Sequence, residues 1–286
     1  MIPLSIPNID GNEWKYVKDC LDTGWISSAG DYVNKFEQSI AKYTGSKYCL
    51  GLNSGTDALM MSLWSNGISK GDEVITSPIS FIASSNSILH VGAKPVFVDV
   101  GEDLNINPNL IERAITKKTK AILPVHWTGR MANMDKILKI AKKYKLIVIE
   151  DAAQAMGAYF KKKHAGTFGD ISAFSAHPLK NLNALGDGGF VITNKKNLYD
   201  KIKVYRNHGL VGRDKVEFAG VNSRLDSLHA EVLSFRLNKL KGVISKRSKN
   251  INLYKKYLLT DKVKIIPSNK NYLNANVMFI TLCENR

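Results

Sequence analysis

Short apolar runs alternate along this chain with segments in which apolar residues recur every three or four positions. The runs predict strands that are buried on both faces, and the recurring spacing predicts amphipathic helices. This alternation favours an α/β fold over an all-β fold. Strands are predicted at residues 48–52, 73–76, 95–100, 121–125, 145–150, 171–174 and 190–193, and helices at residues 13–21, 32–43, 110–115, 134–144 and 225–240. In the first helix, Trp14, Val17 and Leu21 share one face.

The apolar run at residues 145–150 ends in two carboxylates, Glu150 and Asp151. Ligands of open α/β sheets gather outside the carboxyl ends of the strands, so the position of Asp151 predicts a site residue. An N-cap for a helix that begins at Ala152 is an equally good interpretation of this segment alone.

A second candidate feature follows the predicted strand at residues 48–52. The turn Ser54-Gly-Thr leads into a helical pattern with Leu59 and Leu63 on one side. Free N–H groups at the start of a helix, together with Ser and Thr hydroxyls, can hold a phosphate without a basic side chain. A simple capped turn is the commoner interpretation of so short a motif.

Lys180 lies in a turn-rich segment, closed by glycines, between two predicted strands. Taken alone, it is best interpreted as an ordinary loop lysine. A phosphate cradle near residue 54, an aspartate at a strand end and an isolated lysine are together the parts that hold pyridoxal 5′-phosphate (PLP). Lysine forms a Schiff base with the aldehyde, and an Asp carboxylate keeps the pyridine nitrogen protonated. The order of the three features therefore predicts a PLP site.

Motifs in a fixed order from residue 3 to residue 226 resemble those of the DegT/DnrJ/EryC1/StrS family of sugar aminotransferases, within the fold type I PLP enzymes. They are Pro3-Leu-Ser, Gly24-Trp-Ile-Ser-Ser, Asn53-Ser-Gly-Thr-Asp-Ala-Leu, Gly71-Asp-Glu-Val-Ile, Gly92-Ala-Lys-Pro-Val-Phe-Val-Asp, Pro124-Val-His, Glu150-Asp-Ala-Ala-Gln, Phe174-Ser and Gly220-Val-Asn-Ser-Arg-Leu-Asp. The resemblance implies an α/β fold with a mixed, mostly parallel seven-stranded sheet flanked by helices.

The resemblance also implies two domains. Residues 1–235 would form a large PLP-binding domain, and residues 236–286 a bridging helix and the start of a small C-terminal α+β domain. Residues 263–267 and 277–282 predict two strands of that domain, with no helix after them to cover the sheet. We therefore expect the second domain to be truncated.

Three residues of the resemblance would act on the PLP ring. Lys180 would form the Schiff base and carry the proton. Asp151 would pair with the pyridine nitrogen, and Gln154 would hydrogen-bond the phenolic oxygen of the ring.

The remaining site residues would hold the phosphate and one face of the ring. Gly55, Thr56 and Ser175 would contact the phosphate, and Phe81 would stack on the ring. Asn222 matches an asparagine that reaches the phosphate of the neighbouring subunit, which implies a homodimer with a shared active site.

The family resemblance implies transamination of a nucleotide-linked keto sugar, with glutamate as amino donor, in amino-sugar biosynthesis for a surface polysaccharide or a glycosylated product. Residues 181–189 resemble the members that act on 3-keto-6-deoxy sugars, which favours amination at C3. Amination at C4 stays an alternative, because His177-Pro-Leu differs from the Pro-Gly of many of those members. Lys180 itself argues against the dehydratase branch, which has histidine at this position.

The formal net charge of +16 supports a hypothesis of another class, a basic nucleic-acid-binding or regulatory protein with an idle PLP fold. The lysines are spread as pairs along predicted helices, as at Lys142-Lys143, and are not gathered with aromatic residues. The densest basic run, at residues 161–164, lies where the family has a hairpin tip. We therefore predict no nucleic-acid partner.

Cellular location and metal content follow from the remaining composition. No apolar stretch is long enough to span a membrane, and the first residues lack the shape of a signal peptide, so a cytoplasmic protein is expected. The three cysteines, Cys20, Cys49 and Cys283, are widely spaced, and their spacing predicts neither a disulfide framework nor a metal site.

Overall fold

The computed structural model describes residues 6–9, 11–28, 30–258, 260, 262–267 and 271–284, so the Pro3-Leu-Ser motif lies outside it. The helices of the described chain are α1 (Glu13–Thr23), α2 (Asp31–Thr44), α3 (Gly55–Ser65), α4 (Ala83–His90), α5 (Pro108–Ile111), α6 (Met134–Tyr144), α7 (Lys196–Tyr205) and α8 (Ser227–Tyr257), with 3₁₀ turns at Glu112–Ala114 and Trp127–Gly129. The strands are β1 (Tyr48–Leu52), β2 (Glu73–Thr76), β3 (Lys94–Phe97), β4 (Thr119–Leu123), β5 (Ile147–Asp151), β6 (Tyr159–Phe160), β7 (Lys163–His164), β8 (Ile171–Ser175), β9 (Gly189–Thr193), β10 (Val263–Ile265), β11 (Tyr272–Leu273) and β12 (Thr281–Cys283).

Seven strands form one sheet in the order β1-β9-β8-β5-β4-β2-β3. The pairs β2–β3, β2–β4, β4–β5 and β5–β8 are parallel, whereas β9 is antiparallel to both β8 and β1. All of these strands except β9 therefore run in the same direction, and their carboxyl ends share one edge. This confirms the mixed, mostly parallel sheet that the resemblance implied.

Each face of the sheet is covered by its own hydrophobic core. Helices α2, α6 and α8 pack on one face, and α3, α4 and α7 pack on the other. Successive residues of β5 alternate between them, because Val148 belongs to the first core and Ile149 to the second. The same alternation directs Glu150 and Asp151 to opposite faces.

The helix predicted at residues 225–240 and the bridging helix expected after residue 236 are one helix, α8, which ends at Tyr257. Other predicted elements have different ends in the structure, and the strand predicted at residues 95–100 is shortened to β3. The helix predicted at residues 110–115 divides into α5 and a 3₁₀ turn. Two helices, α4 and α7, were not predicted. The buried residues of α4 include Ser84 and Ser87, so its apolar pattern is weak.

The first helix forms as predicted but does not bury the predicted face. Trp14 and Leu21 are each 60% exposed. The side turned inward carries Cys20, which is buried, and Tyr16, whose ring stacks on Phe235 with the ring centroids 4.5 Å apart.

Beyond α8 the chain forms short strands. β10 pairs with β12, and β11 joins the hairpin β6–β7, whose turn is the basic run predicted as a hairpin tip. The strand predicted at residues 277–282 is confined to β12. Residues 274–277, called here the C-terminal segment, instead lie along Thr128–Gly129, where Ala275 N donates to Gly129 O at 2.9 Å. Every helix in the described ranges is too short or too polar to cross a bilayer.

Candidate active site

The carboxyl edge of the sheet brings together most of the predicted site. β5 ends at Asp151, β8 ends at Ser175, and β1 leads into the turn at Ser54 that begins α3. Because these strands run in the same direction within one sheet, the segments that follow them meet at one edge. The sheet topology therefore assembles residues that are more than a hundred positions apart in sequence.

Asp151 is 4% exposed, and its carboxylate is oriented by two donors. Oδ2 accepts a hydrogen bond from the hydroxyl of Ser84 at 2.6 Å, and Oδ1 accepts one from Ala153 N at 3.1 Å. The Ser84 hydroxyl lies 2.5 Å from that of Ser80. A carboxylate has about four acceptor positions, so Asp151 keeps capacity for a further donor.

Glu150 lies on the other face of β5, is fully buried, and has four donors. Its oxygens accept hydrogen bonds from the His126 ring at 2.9 Å and from the N–H groups of Gly166, Phe168 and Gly169 at 2.8, 2.8 and 2.6 Å. Burial alone would raise the pKa of Glu150, but these hydrogen bonds, led by that from His126, lower it below its ordinary value. This carboxylate stabilises the fold and has no free acceptor position.

His126, to which the sequence assigns no role, is fully buried beside Glu150. Its Nδ1 accepts a hydrogen bond from Ala132 N at 3.2 Å, so Nε2 carries the proton donated to Glu150. Both ring nitrogens are thus used within the core. The arrangement excludes His126 as a substrate contact.

Gln154 is 9% exposed and follows Asp151 by three residues. Its Oε1 accepts a hydrogen bond from Thr128 N at 2.7 Å, which fixes the amide and leaves Nε2 available as a donor. Thr128 has a left-handed backbone conformation, with φ of 60°. A non-glycine residue at positive φ is uncommon and costs free energy, so packing at this turn determines where Gln154 points.

The turn between β1 and α3 has the geometry of an anion site. Ser54 caps the helix by accepting a hydrogen bond from Asp57 N at 3.1 Å. The N–H groups of Gly55 and Thr56 have no acceptor among the described residues and stand at the positive end of the helix dipole. A Cβ on Gly55 would lie 2.7 Å from the Cβ of Ser175, so only glycine permits this approach.

Lys180 lies in a turn closed by its own N–H, which donates to His177 O at 2.8 Å. Its side chain is partly buried, and Nζ forms no hydrogen bond or ion pair with any described residue. Burial lowers the pKa of Lys180, although the negative charge of Asp151 opposes the shift. An amine with a lowered pKa becomes unprotonated, and therefore nucleophilic, at a lower pH than a solvated lysine.

Phe81 and Asn222 occupy more open positions. Phe81 precedes α4 and is 67% exposed. Asn222 is also exposed, and its Oδ1 accepts a hydrogen bond from Arg224 Nε at 3.0 Å. None of the side-chain hydrogen bonds of Asn222 within the described chain reaches another predicted site residue. His208 is exposed as well, and nothing in its contacts gives it a role.

The sequence did not reveal Ser84, the hydroxyl donor to Asp151. The available signal was the spacing of Ser80 and Ser84, four residues apart, just after β2. Thr128 was also missed. It contacts Gln154 through its backbone N–H, which every residue except proline has, so the residue type at this position does not reveal the contact.

The assembled residues fit PLP. An unpaired amine is available for the aldehyde, a buried carboxylate with free capacity for the ring nitrogen, and open N–H groups at a helix start for the phosphate. Among the described residues, no group of three or more His, Cys, Asp or Glu side chains could hold a metal ion.

The model of the DegT/DnrJ/EryC1/StrS aminotransferase family matches residues 7–286. The chain belongs to this family. Together with the sheet order, the match confirms the resemblance that the sequence motifs indicated.

Curated relatives extend the comparison. The chain is 45% identical over 230 residues to a pleiotropic regulatory protein of Geobacillus stearothermophilus, covering 80% of this chain and 62% of that protein. It is 40% identical over 258 residues to a GDP-perosamine synthase of Escherichia coli O157:H7, covering 89% and 71%. It is 39% identical over 246 residues to a UDP-2-acetamido-2-deoxy-3-oxo-D-glucuronate aminotransferase of Pseudomonas aeruginosa, covering 83% and 68%. The chain thus spans roughly two thirds of the length of these relatives.

Among solved structures, the chain is similar to the PLP form of a putative sugar aminotransferase, Spr1654, from Streptococcus pneumoniae. The TM-score is 0.94 with 26% sequence identity, over 99% of this chain and 78% of that one. The fold observed here is therefore the fold of type I PLP aminotransferases.

Proposed function

We propose that this chain is a PLP-dependent aminotransferase that moves an amino group from glutamate to a nucleotide-linked keto sugar. The observation that carries the proposal is the state of Lys180, a partly buried and unpaired amine with a lowered pKa in the field of Asp151. Burying a lysine without a partner costs free energy, and a covalent role for the amine accounts for that cost.

Lys180 has two tasks in this proposal. Its amine would hold PLP through the aldehyde carbon, whose oxygen would leave as water, and once glutamate had displaced the amine, Nζ would take the proton from the α-carbon of glutamate. When bound, PLP supplies an electron sink for the carbon that loses this proton. The lowered pKa keeps a larger share of Nζ unprotonated and able to act as the base.

Asp151 and Gln154 orient the ring. Asp151 holds a proton at the pyridine nitrogen, and the Ser84 hydroxyl fixes the rotamer of its carboxylate. Gln154 donates from Nε2 to the phenolic oxygen, since its Oε1 is already bonded to Thr128 N.

The cradle and a second subunit complete the cofactor site. Gly55, Thr56 and Ser175 bind the phosphate, and Phe81 stacks on the ring. Asn222 of a second copy reaches the same phosphate, so we propose a homodimer with a shared active site. Phe81 and Asn222 are both exposed in the single chain, so each is free to contact the cofactor or a second subunit.

For the position of amination we favour C3. Residues 181–189 resemble the members that act on 3-keto sugars, and one relative at 39% identity is named for a 3-oxo sugar. Amination at C4 is the alternative within the same family. The pathway would be amino-sugar biosynthesis for a surface polysaccharide or a glycosylated product, in the cytoplasm. We assign the PLP site to residues 1–235, and residues 236–286 to the bridging helix and the start of a small domain.

A regulatory or nucleic-acid-binding function is the second candidate. It is favoured by the net charge of +16 and by the name of the relative at 45% identity. Several surface lysines are however paired with carboxylates, as Lys143 is with Glu112, Lys161 with Asp135 and Lys195 with Asp170. A lysine that is paired with a carboxylate contributes less to the positive surface potential that would attract the phosphate backbone of a nucleic acid.

The decisive experiment loads the purified chain with PLP and adds L-glutamate. We expect a visible absorption band that disappears as one equivalent of 2-oxoglutarate forms. Nucleotide-linked 3-keto and 4-keto sugars are then compared as acceptors, with NMR of the product to locate the amine. A chain without the band or the 2-oxoglutarate, but with DNA binding at physiological salt, would overturn the proposal in favour of the second candidate.

A further inference from the structure

Asn181 follows the proposed PLP lysine directly and is almost completely buried, at 6% exposure. Its Nδ2 donates a hydrogen bond of 2.6 Å to the carbonyl oxygen of Ala275, 94 positions further along the chain. Nearby, Asn183 Nδ2 donates to Pro178 O at 3.1 Å and closes the turn around Lys180. The residue next to the lysine is therefore fixed to the C-terminal segment and not to its own loop.

The C-terminal segment also contacts the turn that orients Gln154. Ala275 is fully buried, and its N–H donates to Gly129 O at 2.9 Å. Thr128, the residue before Gly129, donates its own N–H to Gln154 at 2.7 Å. The backbone of one residue, Ala275, thus accepts a hydrogen bond from Asn181, the neighbour of Lys180, and donates one to Gly129 in the turn that orients Gln154.

The contact between these segments is close. Gly129 has φ of +85°, and a Cβ on it would lie 3.0 Å from the Cβ of Ala275 and 2.9 Å from the carbonyl oxygen of Gln154. The approach is closer than a side chain on Gly129 permits, so the turn and the segment have little freedom to slide.

Helix α8 holds the C-terminal segment from behind. Arg247 Nη1 donates to Val277 O at 2.7 Å, and Asn276 Nδ2 donates to Ser248 Oγ at 2.8 Å. Asn276 has φ of 55°, which bends the segment at this point. The segment is thus held by α8 on one side and by Asn181 on the other.

The amide of Asn181 is only half used. Its Oδ1 is buried and accepts no hydrogen bond within the described chain. A buried acceptor without a partner costs stability, and leucine would avoid this cost only by leaving the Ala275 carbonyl without its donor. What the amide contributes here is therefore the hydrogen bond to Ala275, which joins the turn of Lys180 to the C-terminal segment.

We propose that Asn181 is a positioning residue that fixes Lys180 relative to Gln154 through the backbone of Ala275. The inference rests on the proposed function, because it concerns the placement of the PLP-binding amine. Without the Nδ2 donor, the turn at Lys180 loses its tie to the C-terminal segment, and Nζ is held less closely to the position that proton transfer requires.

The test compares the PLP-loaded full chain with Asn181→Leu and Asn181→Asp. Leucine removes both polar atoms, and an ionised aspartate places a second acceptor against the Ala275 carbonyl. The control, Asn66→Leu, removes an amide-to-carbonyl bond of 2.8 Å to Ser62 O at the far end of α3. Three quantities are measured, namely the pH midpoint of the visible band, the rate of its loss with L-glutamate, and hydrogen–deuterium exchange of the peptide that spans residues 272–278.

We expect both Asn181 variants to bind PLP while the pH midpoint of the band moves by about half a unit or more. The rate with glutamate should fall by about tenfold to a hundredfold. Exchange should rise at residues 272–278, whereas Asn66→Leu should leave the midpoint and rate unchanged. An unchanged midpoint and rate in Asn181→Leu, beside a normal wild-type band, would overturn this inference alone. A wild-type chain without a band overturns the proposed function and this inference with it, so the two failures are distinguishable.

Discussion

Glu150 and Asp151 are adjacent buried carboxylates on opposite faces of one strand, and their surroundings differ in one respect. Glu150 accepts four hydrogen bonds, from His126 and three backbone N–H groups. Asp151 accepts two, from Ser84 and Ala153 N. A carboxylate with all its acceptor positions filled can only stabilise the fold, whereas one with free capacity can bind a ligand. Free acceptor capacity, and not burial, therefore distinguishes Asp151, the proposed site residue, from Glu150, which belongs to the core.

The same contrast applies to the lysines. Lys161 is an exposed residue paired with Asp135 at 2.5 Å, and Lys180 is a partly buried residue without a partner in the described chain. The amine of Lys161 is hydrated by solvent and paired with the carboxylate of Asp135. Burial and the lack of a partner in the described chain suit the second amine to the covalent role proposed for it.

The largest expected effect is that of Lys180→Ala. Loss of the amine should abolish the visible band of bound PLP and reduce transamination by at least about 10³-fold. Absorption spectra and the rate of 2-oxoglutarate formation measure the two effects. Lys161→Ala, which removes a paired surface amine, is the control and should keep both; equal losses in the two variants would remove the contrast between the lysines.

Replacing Asp151 and Glu150 in turn by the corresponding amide should separate the proposed role in catalysis from the role in stability. Asp151→Asn should lower the rate of the glutamate half-reaction by about 10²-fold or more, since an amide cannot hold the pyridine nitrogen as a cation. Its unfolding free energy should change little. Glu150→Gln should instead lower that free energy by about 3 kcal/mol, because an NH₂ group would face buried N–H donors.

The half-reaction rate and urea unfolding are to be measured on both variants. Folded Glu150→Gln should turn over glutamate at nearly the wild-type rate. If Asp151→Asn lost mainly stability and Glu150→Gln mainly activity, the assignment of the two faces would be reversed.

Acidic pH should lower the free energy of unfolding through His164, which lies on the same face of the sheet as Glu150. His164 is 1% exposed, and burial lowers its pKa from 6.5 to about 4. The unfolded chain takes up the proton below pH 6.5 and the folded chain does so only near pH 4, so stability falls as the pH drops through this interval. The expected loss is about 2 kcal/mol at pH 5.

His164→Gln provides the matched comparison for this pH effect. The ring accepts from Gly157 N at 2.9 Å and donates from Nδ1 to Ala165 O, two bonds that a glutamine amide can also form. Urea unfolding at pH 7.5 and pH 5 should show a smaller loss in the variant. An equal loss in both proteins would assign the acid effect to other groups.

A smaller effect is expected in the phosphate cradle. Gly55→Ala places a Cβ 2.7 Å from the Cβ of Ser175, so the approach of these residues must widen. The affinity for PLP should fall by about tenfold, equivalent to about 1.4 kcal/mol. Gly242→Ala, which meets no atom within 4 Å on α8, should leave the affinity unchanged in the same fluorescence titration.

The sequence predicts the parts of the site that lie at strand ends. Asp151 follows an apolar run and Lys180 lies in a glycine-closed turn, but each alone has an equally good or better interpretation, and only their order with the turn at Ser54 predicts a PLP site. The family motifs add roles for Gly55, Gln154 and Ser175. For the fold, the seven strands of the sheet were expected near their observed positions, and their alternation with helices predicted the α/β class.

The remaining features depend on tertiary contacts that no local pattern records. The hydrogen bond of Ser84 to Asp151 joins residues 67 positions apart, and α4, which carries Ser84, has too few apolar residues to be recognised. On α1, helical spacing predicts a shared face for Trp14 and Leu21, but the helix packs on α8 through Tyr16 instead. Spacing shows which residues share a face and does not show which neighbour covers it.

We propose that the cofactor binds a single lysine, Lys180, whose amine is partly buried and has no partner in the described chain. Sodium borohydride fixes PLP to whichever lysine it has bound, and mass spectrometry of the peptides identifies that residue. We expect a single phosphopyridoxyl group on Lys180, and none on this peptide in Lys180→Ala. A label spread over surface lysines such as Lys161, or absent from Lys180, would contradict it.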